Sequence, residues 1–256
     1  MTEYPVSAVK RSHDIVDVLV ERGTVGVTEV ADAVGIPKST AHDHLRTLER
    51  VGSVVNDGGS YRLSTRYLHV GQRARNANEL FVQGRDETLA LSDAVGEGTY
   101  VQLVTAEHGR SAILLAPQSQ RERFTQNATT YPRRPPLHTN APGKAILANE
   151  DDETVERIVT DHGLPAWTRE TITDEPALRT ELDRIGEAGY AVDNEELIPG
   201  MVGVAAPIVT GETVHGAIAI YTARSGLDGP IEETTFVKSV QESADEIQAN
   251  LIFSQD

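Results

Sequence analysis

The sequence contains no cysteine among its 256 residues, which excludes disulfide bonds, thiolate zinc sites, iron–sulfur ligation and a cysteine nucleophile. It also lacks long hydrophobic runs, because no apolar segment approaches the roughly 18 residues that a membrane span needs. No apolar segment follows the first charged residues, so a secretory signal peptide is not expected. With 39% hydrophobic residues, the composition favours a folded, soluble, cytoplasmic protein over a disordered one.

Lysine is also scarce. Only four of the 23 basic residues are lysines, and 39 acidic residues give a formal net charge of −16. An excess of acid with little lysine resembles the composition of proteins from salt-adapted organisms such as haloarchaea. Taken over the whole chain, this charge argues against nucleic-acid binding, since contacts to phosphate need local positive charge.

The negative charge is unevenly distributed. Residues 1–75 hold ten basic and nine acidic side chains and residues 76–256 hold thirteen and thirty, so the two parts carry +1 and −17. Such asymmetry is typical of two modules. We predict an N-terminal domain over residues 1–66, a helical linker over 67–95 with a break at Gly84 and a role in dimer contact, and a body over 76–256.

The N-terminal part has the pattern of three short helices. Apolar residues recur at three- and four-residue spacing from Ser7 to Glu21, a second helix is expected from its cap at Thr28 to Gly35, and a third follows Pro37. Two short helices with a glycine turn between them form a helix-turn-helix. The segment from 53 to 64 then reads as two strands around two glycines, so the prediction is a winged helix-turn-helix.

The third helix has a polar face opposite its apolar residues. As a recognition helix it would enter the major groove, with the wing against phosphate. Asp43 would repel phosphate but can accept from a cytosine amine, and His42 and His44 point to different faces, which favours a polar contact and a packed histidine over metal ligands. A helical subdomain that never meets DNA is the alternative. The candidate DNA contacts are Lys38, Ser39, Thr40, His42, Asp43, Arg46 and Arg62.

The segment PLHTNAPGKAILA, residues 136–148, first invites comparison with a phosphate-binding loop. A Walker A loop needs a glycine and a Ser/Thr where His138 and Ala145 stand, so the comparison fails. What remains is a helix beginning near Thr139 or Asn140, either of which can cap it. Free amides around Gly143 would then be able to hold a carboxylate.

Three segments together resemble the IclR (isocitrate lyase regulator) family of transcriptional regulators. They are GIPKSTAHDHLRTLE from residue 35, PLHTNAPGKAILA from residue 136, and GYAVDNEELIPGMVGVAAPI from residue 189. The resemblance implies an α+β protein with a winged helix-turn-helix, a linker helix and a C-terminal GAF-like domain that binds a small effector and pairs subunits. It therefore implies a DNA-binding regulator, a homodimer or homotetramer, on a pseudo-palindromic operator.

The resemblance also assigns an effector site. Two departures from the family pattern stand out, Asp43 where arginine is frequent and Gly203 where cysteine is frequent. Gly203 is expected to enlarge the pocket, and Asp193 to bind a hydroxyl or an amine, so a carboxylate or sugar acid is the expected effector. Surface or capping roles are the alternative for several of these positions, and for Glu195 and Glu196. The candidate effector contacts are His138, Thr139, Ala141, Pro142, Gly143, Asp193, Met201 and Gly203.

The sequence gives catalysis no specific support. Its eight histidines are scattered without metal-binding spacing, and no nucleophile elbow or dinucleotide loop occurs. We expect no catalytic residues, no metal and no cofactor. The competing hypothesis is a metabolite-binding or enzymatic α+β protein whose N-terminal helices serve only assembly.

Overall fold

The structure is a computed structural model that describes residues 4–117 and 134–254. The chain divides into two compact units, residues 1–75 and 76–256. Both contain helices and antiparallel strands, which confirms the predicted α+β class.

The first unit is a three-helix bundle with a small sheet. Its strands pair in the order β1-β3-β2, and a further helix follows the sheet. The helices are α1 (Ser7–Arg22), α2 (Val27–Val34), α3 (Lys38–Arg50) and α4 (Arg66–Asn76), and the strands are β1 (Val25–Gly26), β2 (Val54–Asp57) and β3 (Ser60–Leu63).

Apolar residues at helical spacing form the core of this unit. Ile15 of α1 and Leu45 of α3 are completely buried, and they belong to one core cluster with residues of the β2–β3 hairpin. Gly35 ends α2 in the left-handed conformation at φ 71°, which gives the tight turn into α3. The expected cap at Thr28 is wrong, because Gly26 precedes α2 and its amide donates to the Glu29 carboxylate at 2.9 Å.

The second unit contains a five-stranded antiparallel sheet in the order β5-β4-β8-β7-β6. Its strands are β4 (Thr99–Glu107), β5 (Arg110–Leu115), β6 (Ala191–Asn194), β7 (Met201–Thr210) and β8 (Thr213–Ala223). Its helices are α5 (Glu79–Val95), α6 (Ala141–Leu147), α7 (Asp152–His162), α8 (Glu175–Ala188) and α9 (Phe236–Phe253).

Alternation along β8 separates two cores on opposite faces of this sheet. Ile218 and Ile220 belong to the core covered by α5 and α9, whereas Ala217, Ala219 and Tyr221 belong to the core on the α6 face. Successive side chains of a strand point to opposite faces. Because alanines dominate the second face, α6 packs close to the sheet there.

The predicted break at Gly84 is wrong. The helical segment is interrupted between α4 and α5, where the Asn78 side chain accepts from the Phe81 amide at 3.2 Å and caps α5. Gly84 lies inside α5, where an added Cβ would be 3.1 Å from a methyl group of Leu103. Gly84 therefore permits close packing of α5 on the sheet.

Candidate functional site

The predicted DNA contacts of α3 lie on its solvent-facing side, with Ala41 and Leu45 buried behind them. Thr40 is half-buried, and Arg62 is exposed on β3. The exposed α3 residues of the set are Lys38, Ser39, His42, Asp43 and Arg46. The helix thus presents hydrogen-bonding groups of both charges on an open surface.

Two histidines of α3 have different surroundings, as their spacing predicts. His42 Nδ1 is 3.6 Å from the Asp43 carboxylate on the open surface. His44 is half-buried, and its Nδ1 lies 2.9 Å from the Ser12 hydroxyl of α1. The packed role expected for His44 is confirmed, and this contact fixes α3 against α1.

The start of α6 lacks the free amides expected there. The Asn140 side chain caps the helix by accepting from the Gly143 amide at 2.9 Å. The Ala141 amide donates to the Tyr221 hydroxyl at 3.2 Å, and Pro142 has no amide hydrogen. The expectation that amides around Gly143 hold a carboxylate is therefore wrong for this arrangement.

His138 and Thr139, in the short turn before α6, form local bonds. The Thr139 hydroxyl donates to the Pro136 carbonyl at 2.7 Å. His138 Nε2 is 3.3 Å from the Pro165 carbonyl, and burial lowers the pKa of this imidazole. The hydrogen bonds of both polar groups thus go to backbone carbonyls and not to Asp193, Met201 or Gly203.

Asp193 is the centre of a buried polar cluster on the α6 face of the sheet. Asp193 is 1% exposed. Its Oδ1 accepts from the Glu196 amide at 2.8 Å, and its Oδ2 accepts from the Tyr221 hydroxyl at 3.2 Å. Burial, and then the negative charge of Glu196, raise the pKa of Asp193 to about 7.

Lys144 supplies the positive charge of this cluster. It is 1% exposed, and its Nζ forms a short ion pair with Glu196 and lies 3.5 Å from Glu181. Burial raises the pKa of Glu196 in spite of the ammonium group. Among the described residues, Oε2 of Glu196 is buried without a hydrogen-bond partner.

Sequence reasoning missed three members of this cluster. Glu196 was open to a surface role, but it is 6% exposed, so that alternative is wrong for it. Lys144 entered only through the failed phosphate-loop comparison, and Tyr221 did not stand out at all. A lysine within the otherwise apolar run APGKAILA, in a chain with so few lysines, was the available signal.

Gly203 does not enlarge a pocket, contrary to expectation. An added Cβ at Gly203 would be 2.3 Å from Cε1 of Tyr221, because the tyrosine ring fills that space. Met201 lies two residues earlier on β7 and is half-buried in the same core. The structure therefore brings Ala141, Asp193 and Gly203 together around Tyr221.

Within residues 4–117 and 134–254, no group of three or more acidic or histidine side chains is arranged to hold a metal ion. No helix in this part of the chain is both long and apolar enough to span a membrane.

A helix-turn-helix unit with a β wing, followed by a separate α+β unit with a buried polar cluster, defines a DNA-binding regulator with a ligand-binding domain. The chain belongs to the IclR family of transcription regulators. Residues 8–58 match the family described as IclR helix-turn-helix domain, and residues 79–249 match that described as Bacterial transcriptional regulator IclR C-terminal. It is thus a DNA-binding transcription regulator with a C-terminal ligand-binding domain.

Several relatives resemble the chain over nearly its whole length. The "Probable HTH-type transcriptional regulator ArcR" of Halobacterium salinarum is 28% identical over 251 residues, which cover 96% of this chain and 94% of that protein. A crystal structure of an IclR-type regulator from Alicyclobacillus acidocaldarius has a TM-score of 0.75 at 27% identity and covers 97% of this chain and 100% of that one.

A solved IclR homologue from Microbacterium hydrocarbonoxydans, complexed with 4-hydroxybenzoate, shares the fold. Its TM-score is 0.77 at 23% identity, with 96% of this chain and 99% of that chain covered.

Proposed function

We propose that the chain is a cytoplasmic homodimer or homotetramer that binds a pseudo-palindromic operator through α3 and the β2–β3 wing. The polar, open face of α3 is the observation that carries this proposal. Its Lys38, Ser39, His42 and Arg46 are of the types that bind bases and phosphate, and Arg62 extends the surface onto the wing. A two-fold dimer would present two such helices to successive major grooves.

Arg46→Ala tests this surface, with Arg22→Ala at the exposed end of α1 as a charge-matched control. DNA is first selected from a random-sequence pool by the wild-type protein in molar salt, and affinity is then measured by fluorescence anisotropy. Loss of a bidentate arginine contact costs about 1–3 kcal/mol, so affinity should fall about 5- to 150-fold for Arg46→Ala. Equal losses of DNA affinity in the two variants would contradict the proposal that α3 contacts the bases of the operator.

We further propose that the body binds, without catalysis, a small hydroxylated carboxylate such as a sugar acid. Asp193 supports the hydroxyl part, because its buried Oδ2 accepts from a hydroxyl in this structure. A carboxylate without hydroxyls has no hydrogen-bond donor to offer to Asp193. The negative charge of either kind of ligand would be offset by Lys144 and by Arg184, which pairs with Glu181 at 2.8 Å. The 4-hydroxybenzoate of the Microbacterium homologue has the same combination of hydroxyl and carboxylate.

Matched ligand pairs test this chemistry by thermal shift, since a ligand that binds the folded state raises the melting temperature. Gluconate is compared with hexanoate, and 4-hydroxybenzoate with benzoate. The hydroxylated member of at least one pair should stabilise the wild-type protein, and Asp193→Asn should weaken that binding at least tenfold. Stabilisation by hexanoate and benzoate to the same extent would contradict the role of Asp193.

In this proposal, residues 1–66 are the DNA-binding domain, residues 67–95 couple it to the effector domain, and residues 76–256 form a GAF-like body that also pairs subunits. The acid excess and the scarcity of lysine support a salt-adapted protein. Because residues 1–75 carry a charge of only +1, operator affinity should depend less on salt than that of strongly basic regulators. Analytical ultracentrifugation in molar salt measures the oligomeric state. A purely monomeric protein would contradict the proposed homodimer or homotetramer.

A further inference from the structure

Tyr221 contacts three of the residues predicted to line the effector site. Its hydroxyl accepts from the Ala141 amide and donates to Asp193, with both oxygen–partner distances 3.2 Å. Its ring lies where a side chain at Gly203 would otherwise be. Three positions from separate segments thus converge on one phenol, which is 3% exposed.

Strand register explains how the phenol reaches this position. Asp193 of β6 pairs with Gly203 of β7, which pairs with Tyr221 of β8, so the three residues form one row across the sheet. Residues two strands apart are separated by about 9–10 Å, a gap that a tyrosine bridges only by lying across the middle strand. Gly203 leaves that space open because it has no side chain.

The Tyr221 hydroxyl already occupies the two hydrogen-bonding groups that a hydroxylated effector would use. Its hydroxyl takes the hydrogen-bond donor at Ala141 and the acceptor oxygen of Asp193 at the same time. An effector hydroxyl making the same two bonds must occupy the place of the Tyr221 oxygen. Binding of that kind and the observed Tyr221 rotamer are therefore mutually exclusive.

We propose that the Tyr221 side chain is an internal occupant of the effector site, and that a hydroxylated effector binds by displacing it. This inference rests on the effector site of the proposed function. The protein then has two arrangements, with Tyr221 in or out, and an effector shifts their balance because it binds only the second. The apparent affinity for the effector is the intrinsic affinity multiplied by the fraction of molecules in which Tyr221 is displaced.

The test replaces the occupant by a free molecule of the same shape. Tyr221→Ala opens the site, and 4-methylphenol, which reproduces the tyrosine side chain, is added. We expect 4-methylphenol to raise the melting temperature of Tyr221→Ala saturably and to leave the wild-type protein unchanged, because its site is filled. Tyr190→Ala is the control, since Tyr190 is half-buried and packs in the other core of the body.

Operator affinity provides the second readout. Tyr221→Ala should change affinity for the selected DNA at least threefold, and 4-methylphenol should return it to within twofold of wild type, whereas Tyr190→Ala should show no such restoration. Gly203→Ala expels the ring without deleting it, so it should change affinity in the same direction without restoration by 4-methylphenol. If Tyr221→Ala does not fold, Tyr221→Phe, which keeps the ring and removes both hydrogen bonds, should shift affinity the same way.

Two results would overturn the proposal. One is saturable binding of 4-methylphenol to the wild-type protein as tight as to Tyr221→Ala. The other is binding to Tyr221→Ala without any change in operator affinity. Failure of the wild-type protein to select any DNA would instead contradict the proposed function, and the melting experiment would still report whether Tyr221 fills the site.

Discussion

Replacement of Lys144 by methionine removes the ammonium group that pairs with the buried Glu196 and with Glu181. Glu181 is partly exposed and keeps a second partner, because Arg184 also pairs with it at 2.8 Å. Methionine retains most of the aliphatic stem, so the change mainly removes charge. The Nζ of Lys144 is 3.5 Å from Glu181 and closer to Glu196. At an effective dielectric constant of about 20, a 3.5 Å pair has a gross attraction of about 5 kcal/mol.

The net loss should be similar, because breaking a buried ion pair leaves uncompensated charge and costs about 3–5 kcal/mol. We therefore expect Lys144→Met to lower the free energy of unfolding by about 3–5 kcal/mol at pH 8. The loss should be smaller at pH 5, where the raised pKa values of Asp193 and Glu196 let these groups bind protons. The double variant Lys144→Met/Glu196→Gln should recover part of the loss.

Urea unfolding followed by circular dichroism at constant molar salt measures these differences. Lys238→Met is the matched control, because Lys238 forms a 3.1 Å pair with Glu242 while its side chain is 80% exposed. Exposed pairs are screened and contribute little, so this variant should not differ measurably from wild type. A Lys144→Met protein that is as stable as Lys238→Met at pH 8 would refute the reasoning.

Three further predictions concern single side chains. Asp193 has a folded-state pKa of about 7, above its unfolded value, so its contribution to stability is present at low pH and is lost as pH rises through 7. The wild-type protein should therefore lose about 3 kcal/mol of unfolding free energy from this group between pH 5 and pH 8. Urea titrations of Asp193→Asn should lack that loss. Asp43→Ala should tighten binding to random DNA severalfold in anisotropy titrations, because Asp43 repels phosphate from an 81% exposed position; unchanged binding would place Asp43 away from DNA. Ser12→Ala removes the 2.9 Å contact with His44 and should destabilise residues 1–75 by about 1 kcal/mol in thermal unfolding.

The helices of the DNA-binding unit could be predicted because the pattern that specifies each of them lies within its own segment of the sequence. Apolar residues at three- and four-residue spacing place Leu45 inside and Arg46 outside without reference to the rest of the chain. The helix start at Asn140 was accessible for the same reason, since an asparagine before the first turn is a cap.

The polar cluster could not be predicted because it depends on strand register. Asp193, Gly203 and Tyr221 are ten and eighteen residues apart, and only the pairing of three strands puts them in one row. Glu196 follows another glutamate, and such a pair in an acidic chain is typical of a surface. Its burial results from its position immediately after β6, where Asp193 accepts from its amide.

The row formed by Asp193, Gly203 and Tyr221 restricts the order in which substitutions can accumulate in this lineage. A side chain can appear at Gly203 only after the aromatic ring at Tyr221 has been lost or has left its observed position, because both would occupy the same space. The reverse order is open, since a smaller residue at Tyr221 leaves Gly203 unaffected. Relatives with a larger residue at the position of Gly203 should therefore have a small or differently oriented one at that of Tyr221, a pairing that an alignment of the family can count.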